Sequence, residues 1–477
     1  MKILLIDSPG RAKGISVAFA YLSAIIKKNN HDVKILDLNN RYQGITNEIL
    51  KNTLENYKPD IIGFTMLSLS YNSVIDTINK TREYYKKGVL VVGGAQTFIE
   101  REQLLKDNKH VDIEIIGEGE EAIVDIIKTV EGKKQLKNVK GIIFRDGRKI
   151  ITTPDRPLIQ DLDKLPFPDY KALGVKKFSD NGINNYRILT SRGCPFGCSF
   201  CYASALSKRT WRARKPEELI KELKQAKKLF DYNGITILDD NFTLDVKRAE
   251  KFCDLIVKHK LQVPWNCMAR ADRLTERLVK KMKSAGCEKV QIGVESLNPP
   301  VFKLVNKGES IQDIERATKL LKKHGIKVYS FFIIGLAEET YDGIMYTYKR
   351  AKEIGFNFNS FQNIMPLPCT QIYSWYQKHG TTLKNYKNHS QLLEVGVETP
   401  EFTKEERQRA FEIISTKEKA YYFDPRKSNI ENGLYVLRLI FKYDLIHLPF
   451  HLVKLSSKTL EVLFNRNKTL TSVEFEE

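Results

Sequence analysis

No cysteine occurs in the first 193 residues, so the front of the chain can hold neither a thiolate-ligated cluster nor a disulfide. The N-terminal run Met1-Lys2-Ile3-Leu4-Leu5-Ile6-Asp7 lacks the charged leader, long apolar core and cleavage site of a signal peptide. It reads as a strand and predicts a cytoplasmic protein. Long apolar runs are also missing. The stretch from Gly433 to Lys454 is cut by charges every few residues and by Pro449, which excludes a membrane span. Packing onto the rest of the protein, or lying at a lipid surface as an interfacial helix, are its two remaining uses. Acidic residues are in deficit, 58 against 78 Lys and Arg, for a net charge of +20. That excess suits either solvated helix faces, as at Lys221, Lys224, Lys227 and Lys228, or an anionic partner, and high Lys and Glu content also suits a heat-loving source. Nucleic acid is not the expected partner.

What is present is a triplet of cysteines in the run Ser191-Arg192-Gly193-Cys194-Pro195-Phe196-Gly197-Cys198-Ser199-Phe200-Cys201-Tyr202. A four-iron cluster normally takes four cysteines, so Cys194, Cys198 and Cys201 fit three ligands of one cluster and leave an iron open to coordinate something else. Three buried structural thiols are the alternative, against which Pro195 and the flanking glycines mark a loop. Cys253, Cys267, Cys287 and Cys369 show no paired metal spacing. Cys253 and Cys287 stand in helix-like contexts and read as small core residues, whereas Cys369 stands in a loop and is a candidate substrate-facing thiol. None of the seven cysteines shows disulfide-like regularity, which agrees with a reducing compartment.

Apolar periodicity divides the chain. Strands at Ile3–Ile6, Asp32–Leu36, Ile61–Thr65, Val89–Val92 and Asp112–Ile116 alternate with helices near Ile15–Lys28, Thr46–Tyr57 and Val74–Tyr85 and from Glu120. This predicts a doubly wound parallel sheet, with ligands at the carboxyl ends of its strands. The segments there are Asp7-Ser8-Pro9-Gly10, Met66-Leu67-Ser68-Leu69-Ser70, Gly93-Gly94-Ala95 and Gly117-Glu118-Gly119-Glu120. Each also has a plain use in a tight turn or a helix start. A hairpin about Asp146-Gly147 closes this domain, residues 1–153, and a linker over 154–185 carries Pro154, Pro157, Pro166 and Pro168. Six strand-helix units follow within 186–370, with strands at Tyr186–Thr190, Ile235–Leu238, Val263–Met268, Lys289–Val294, Lys327–Ile334 and Phe358–Ile364. Residues 371–477 read as a helical C-terminal region.

The triplet, with Phe200 just before its last cysteine, resembles the signature of the radical S-adenosylmethionine (SAM) superfamily. The resemblance implies an α/β protein with a partial (β/α)6 barrel, a 4Fe-4S cluster whose open iron chelates SAM, and an external electron donor of flavodoxin or ferredoxin type. It also implies release of a 5'-deoxyadenosyl radical that abstracts hydrogen from substrate. Asp239 or Asp240, ending the second barrel strand, would hold the SAM amino group, although a cap for the helix at Val246 is the competing use of this stretch, one that Asn241 and Asp245 could fill. Arg270 would pair with the SAM carboxylate, or else with a surface acid. Glu295 and Ser296 resemble a segment that contacts the ribose or carboxylate side. The run from Gly335 to Glu339 resembles a Gly-Leu-Pro-Gly-Glu-Thr turn near the adenine, with Ala337 and Glu338 in place of Pro and Gly. Gln362, Asn363 and the loop Met365–Cys369 are expected to face substrate.

The front domain resembles the cobalamin-binding domain of one large radical SAM subfamily, in which Ser68, Gly93 and Gly94 would line the corrin groove. It lacks the Asp-x-His-x-x-Gly stretch that supplies a cobalt ligand elsewhere, and His31 reads as a turn residue. This fits cobalamin bound without that histidine, or a domain that binds none. With no cysteine upstream of Cys194, a methylthiotransferase with a second, N-terminal cluster is excluded. The expected activity is cobalamin-dependent methylation of an unactivated carbon. Carbon-carbon coupling or cyclisation of a lipid-like substrate, with possible contact to a membrane surface, and a non-enzymatic iron-sulfur protein are the other readings. The substrate itself is not legible.

Overall fold

Strands whose side chains are apolar on both faces must be covered on both faces, and the N-terminal strands are of this kind. In β1 (Lys2–Asp7) the residues Ile3 to Ile6 are all at most 1 % exposed. It is followed by α1 (Val17–Lys28), β2 (Asp32–Asp37), α2 (Thr46–Tyr57), β3 (Ile61–Thr65), α3 (Tyr71–Tyr84) and β4 (Val89–Gly93). The short helices α4 (Ala95–Glu100) and α5 (Glu102–Asp107) lead to β5 (Ile113–Ile115), α6 (Glu120–Val130) and the hairpin β6 (Ile142–Asp146) and β7 (Lys149–Thr152). The computed structural model describes residues 1–9, 16–39, 46–175, 179–180, 183–388, 394–418 and 429–443. Gly10 of the first strand-end loop and the C-terminal run from Asp444 onward, Pro449 included, lie outside them.

Two units emerge, Met1–Pro195 with Leu206–Thr236, and Phe196–Ala205 with Ile237–Glu477. In the first, the sheet order is β2-β1-β3-β4-β5-β6-β7, parallel through β5 and antiparallel in the closing hairpin. Register pairs Ile3 with Val33 on one side and Ile61 on the other. Ser16 caps α1 by accepting from the Phe19 amide, and Lys27 and Lys28 complement its carboxyl end. The proline-spaced segment is anchored rather than merely laid over the surface: Leu162, Tyr170 and Leu173 are buried, and Asp169 meets Ser23 and Lys27 of α1. This unit also holds β8 (Ser179–Asp180), β9 (Ile183–Ile188), and the ladder of β10 (Ser191–Arg192) with β11 (Arg212–Ala213). A single-turn α7 (Ala203–Leu206) precedes β11, and α8 (Pro216–Phe230) and β12 (Gly234–Ile237) follow it.

The second unit continues with α9 (Val246–Lys258), β13 (Trp265–Met268), α10 (Glu276–Ser284), β14 (Cys287–Glu295), α11 (Pro299–Val305) and α12 (Ile311–Lys323). Then come β15 (Lys327–Ile334), α13 (Tyr341–Ile354), β16 (Phe358–Asn363), α14 (Gln371–His379), α15 (Lys404–Lys417) and α16 (Asn429–Tyr443). Strands β13 to β16 are neighbours in sequence order and parallel throughout. The loops after the strands end in N-caps: Asp245 for α9, Thr275 for α10, Ser310 for α12 and Thr340 for α13. Each cap frees the residues just before it for other work at the strand end. On α16, Val436, Leu439 and Ile440 are buried against α15, while Leu434 and Phe441 stay exposed, so the helix packs on the protein through one face.

Candidate functional site

In the first unit, the loop after β3 is held over β4 by the backbone. The Met66 amide donates to Gly93 O at 2.8 Å and the Gln96 amide to Met66 O at 3.2 Å. Gly94 has φ +107°, and a Cβ there would lie 2.5 Å from Met66 O, so no other residue fits. Gly93 has no such constraint; its added Cβ would make an ordinary contact with Ile115. Ser68 Oγ donates to Gln96 Oε1 at 2.8 Å, and Gln96 in turn donates to Glu100. Leu67 and Leu69, on either side of Ser68, stand out to solvent, and Ser8 Oγ at the end of β1 is buried with no hydrogen-bond partner among the described residues. Exposed leucines after one strand and an orphaned hydroxyl after its neighbour suit a large ligand with an apolar face and polar edge. His31 Nδ1 lies 3.4 Å from the N-terminal amine and 3.8 Å from Glu131, just before the amino end of β2.

Cys194 follows the β10-β11 ladder. Gly193 before it has φ +84°, and a Cβ there would collide with the Thr210 carbonyl and with Ser207. Ser207 Oγ bonds both the amide and the carbonyl of Cys194 at 3.4 Å. Arg192 is gripped by Glu118 at 3.0 Å and Glu120 at 2.6 Å, over the Tyr21 ring, and Arg212 binds the same Glu118 at 2.9 Å. Glu118 also accepts the Ile159 amide at 2.7 Å. The sequence flags Glu118 and Glu120 only as a loop; their partners, 41 to 94 positions away, leave no local signal.

In the second unit, Cys198 and Cys201 are half-buried, and the Cys201 amide donates to Cys198 O at 3.1 Å. Their loop is tied to the end of α11, where Val305 O accepts the Ser199 amide at 2.9 Å and Asn306 Nδ2 donates to Gly197 O at 3.4 Å. Burial pushes the Tyr202 phenol up, with Cys201, Asp240 and Cys369 adding to the shift, so these groups face a common region. The Cys369 thiol is itself raised by burial. None of the seven cysteines is in a disulfide, and Cys253, Cys267 and Cys287 are buried in the core. Among the described residues no three His, Cys, Asp or Glu could hold a single metal ion; three thiols are the donor set of an iron-sulfur cluster rather than of a lone ion.

Asp245 caps α9 by accepting from Arg248 N at 3.0 Å, so the adjacent Asp239, buried, and Asp240, exposed, are not that cap. Asn241 beside them is buried, and its Nδ2 has no acceptor among the described residues. Arg270 is no surface residue. It is 5 % exposed, lies 3.6 Å over the Phe196 ring, and donates to Asp272 at 3.0 Å and to Lys307 O at 2.7 Å. Glu295 ends β14 at a register shift with φ +69°, a backbone state rare outside glycine and common where a side chain is aimed for function. Burial pushes its carboxyl up, and Lys307 at 3.6 Å opposes the shift. Lys307 also meets Glu309 at 2.7 Å. Sequence reasoning missed Lys307 and Glu309, which sit in an unpatterned turn after α11. Ser296 is placed differently from Glu295, its hydroxyl engaged with Thr347 and the Asn298 amide.

Glu339 turns back on its own loop, accepting the amides of Gly335 at 2.6 Å and Leu336 at 3.4 Å, and burial pushes its carboxyl up to about 8. Gly335 has φ +91°, and a Cβ there would collide with Arg407. Both residues therefore shape the turn. Asn363, at the end of β16, is buried with neither amide atom paired among the described residues, and a cavity of about 380 Å³ opens at Met365 and Pro366, walled by Tyr373, Gln377, Lys384 and Tyr386. Amides at Asn241 and Asn363 that lack partners among the described residues, with the half-buried thiols of Cys198 and Cys201, fit a site completed by cofactor and substrate.

Residues 188–351 match the family profile of the radical SAM superfamily, and residues 5–127 match that of the B12 binding domain. An uncharacterised methyltransferase of Pyrococcus horikoshii is 31% identical over 385 residues, covering 79% of this chain and 83% of that one. An anaerobic magnesium-protoporphyrin IX monomethyl ester cyclase of Rubrivivax gelatinosus is 28% identical over 394 residues, covering 78% and 69%. Among solved structures, the radical SAM methyltransferase TsrM of Kitasatospora setae aligns with a TM-score of 0.69 over 80% of this chain and 79% of that one; at 15% identity the likeness is one of fold.

Proposed function

Because the chain belongs to the radical SAM enzymes that carry a B12-binding domain, we propose that it is a cobalamin-dependent methyltransferase acting on an unactivated carbon of a small molecule. The radical SAM domain brings a 4Fe-4S cluster, SAM and the need for a reductant, and the B12-binding domain brings cobalamin. When bound, cluster and SAM supply hydrogen abstraction, and cobalamin supplies a transferable methyl group. In this reading Cys194, Cys198 and Cys201 ligate the cluster, and Asp239 and Asp240 accept from the ammonium of SAM. Arg270 donates to its carboxylate, with the guanidinium pre-set by Asp272 and Phe196. Glu295 is aimed at the polar side of SAM by its backbone turn, and Ser296 braces that turn through Thr347. Gly335 and Glu339 hold the turn beside the adenine, Ser68, Gly93 and Gly94 edge the cobalamin groove, and the cavity at Met365 receives substrate, with Cys369 as a thiol near it. The electron donor is of flavodoxin or ferredoxin type, and the protein works in the cytoplasm.

The observation that carries this reading is a B12-binding match in a chain that shares 31% identity with a methyltransferase over most of both lengths. Its test is anaerobic reconstitution with iron, sulfide and hydroxocobalamin, followed by desalting and turnover with methyl-labelled SAM. Near-stoichiometric cobalt and label leaving SAM are expected, and Cys198→Ala should abolish 5'-deoxyadenosine formation. SAM cleavage without cobalt retention would sink the methyltransferase reading in favour of ring formation, which the 28% identity to a cyclase supports.

A further inference from the structure

The turn after α11 does more than reverse the chain. Val305 O and Asn306 Nδ2 bond the residues on either side of Cys198, namely Ser199 and Gly197. The next residue, Lys307, is 8 % exposed; its ammonium bonds Gly293 O and lies 2.7 Å from Glu309 and 3.6 Å from Glu295. Gly293 makes the room for this: a Cβ there would collide with Glu295 Oε1 and lie 3.3 Å from Lys307 Nζ. The backbone of Lys307 is fixed as well, because its carbonyl accepts from Arg270 at 2.7 Å, and Arg270 lies over Phe196 of the cysteine run. Glu309, fully enclosed, is fixed by the Ala271 amide at 3.2 Å. Burying a lysine is unfavourable unless its charge is matched. Here burial opposes the charge, but Glu295 and Glu309, with Cys198 adding to them, hold the ammonium above the ordinary lysine range.

We propose that Val305–Glu309 clasps the cysteine loop and that Lys307 is a positioning residue that holds one positive charge beside the second cysteine ligand, making the cluster easier to reduce. The inference rests on the assignment of Cys194, Cys198 and Cys201 as cluster ligands. A fixed cation near an iron-sulfur cluster favours its reduced, more negative state, since net charge and polar contacts set the potential of such clusters. The ammonium is set by one backbone carbonyl and two carboxylates, so an arginine in its place keeps the charge, and a methionine keeps the stem without it.

The experiment uses the reconstituted full chain and reads iron content together with the midpoint of the cluster, by redox titration followed by electron paramagnetic resonance. Lys307→Met is expected to keep the iron of the wild type but to shift the reduction equilibrium about tenfold toward the oxidised form, 59 mV for one electron. Lys307→Arg should stay within about threefold of the wild type, and the paired change Lys307→Met with Glu309→Gln should recover most of the shift. A Lys307→Met cluster that titrates with the wild type overturns the proposal. If Lys307→Met holds no iron, an iron-replete Lys307→Arg with an unshifted midpoint supports it, and loss of iron in both overturns it. A wild type without iron would instead overturn the cluster assignment, and this role with it.

Discussion

Glu338 is an exposed, non-glycine residue at φ +59°. The left-handed region is unfavourable for an L-residue by roughly 1 kcal/mol, while a glycine gains part of that back in the unfolded chain. Glu338→Gly should therefore raise stability by about 0.5 kcal/mol in urea denaturation without changing SAM cleavage; a drop in stability would mean that the side chain is engaged. The same position shows what was legible residue by residue. The sequence placed the turn from Gly335 to Glu339 correctly because strand β15 runs directly into it, and it marked the substitution of Glu for Gly. It could not show that Glu339 folds back on the amides of Gly335 and Leu336, because that depends on the sign of φ at positions whose side chains carry no periodic signal. Lys307 and Glu309 were illegible for a related reason: their partners, Gly293, Glu295 and Ala271, lie on other strand ends.

Elements were read more fully than contacts. Strands β3 and β15 begin and end where the alternation of apolar residues puts them, and β14 runs only two residues earlier and one later than expected, because Cys287 and Glu295 are buried polar-capable ends. The short helices α4 and α5 were not foreseen; six residues each are too few for a 3.6-residue period to declare itself. One element carries a pH test. Glu114 is fully enclosed in β5 and burial pushes its carboxyl up to about 9. An unfolded glutamate titrates near 4.5, so between that value and 9 the folded state holds a proton the unfolded state has lost. The stabilising effect of that proton is complete below pH 4.5 and is lost as the pH climbs through 9. Glu114→Gln should flatten the slope of unfolding free energy over this window by on the order of 1 kcal/mol per pH unit; parallel slopes for the two proteins would show that the group titrates normally.

At the scale of the whole first unit, one carboxylate gathers distant chain. Glu118 receives Arg192, Arg212 and the Ile159 amide, from three segments 41 to 94 positions away. Removing it leaves two largely buried guanidinium groups short of a partner, which destabilises by about 3 kcal/mol in comparable cases. Glu118→Ala should lower the urea midpoint accordingly, while Glu121→Ala, whose side chain is 59% exposed, should change it by less than about 0.5 kcal/mol; equal effects would deny Glu118 its special place. Arg192 stands two residues before Cys194, on the ladder that presents that cysteine. The ladder is thus braced by a loop that exists only once β5 has joined β4 and β6. The settled address of the first thiol in the run therefore depends on strands far upstream of it, and a change that opens that sheet is expected to reach Cys194 without touching it.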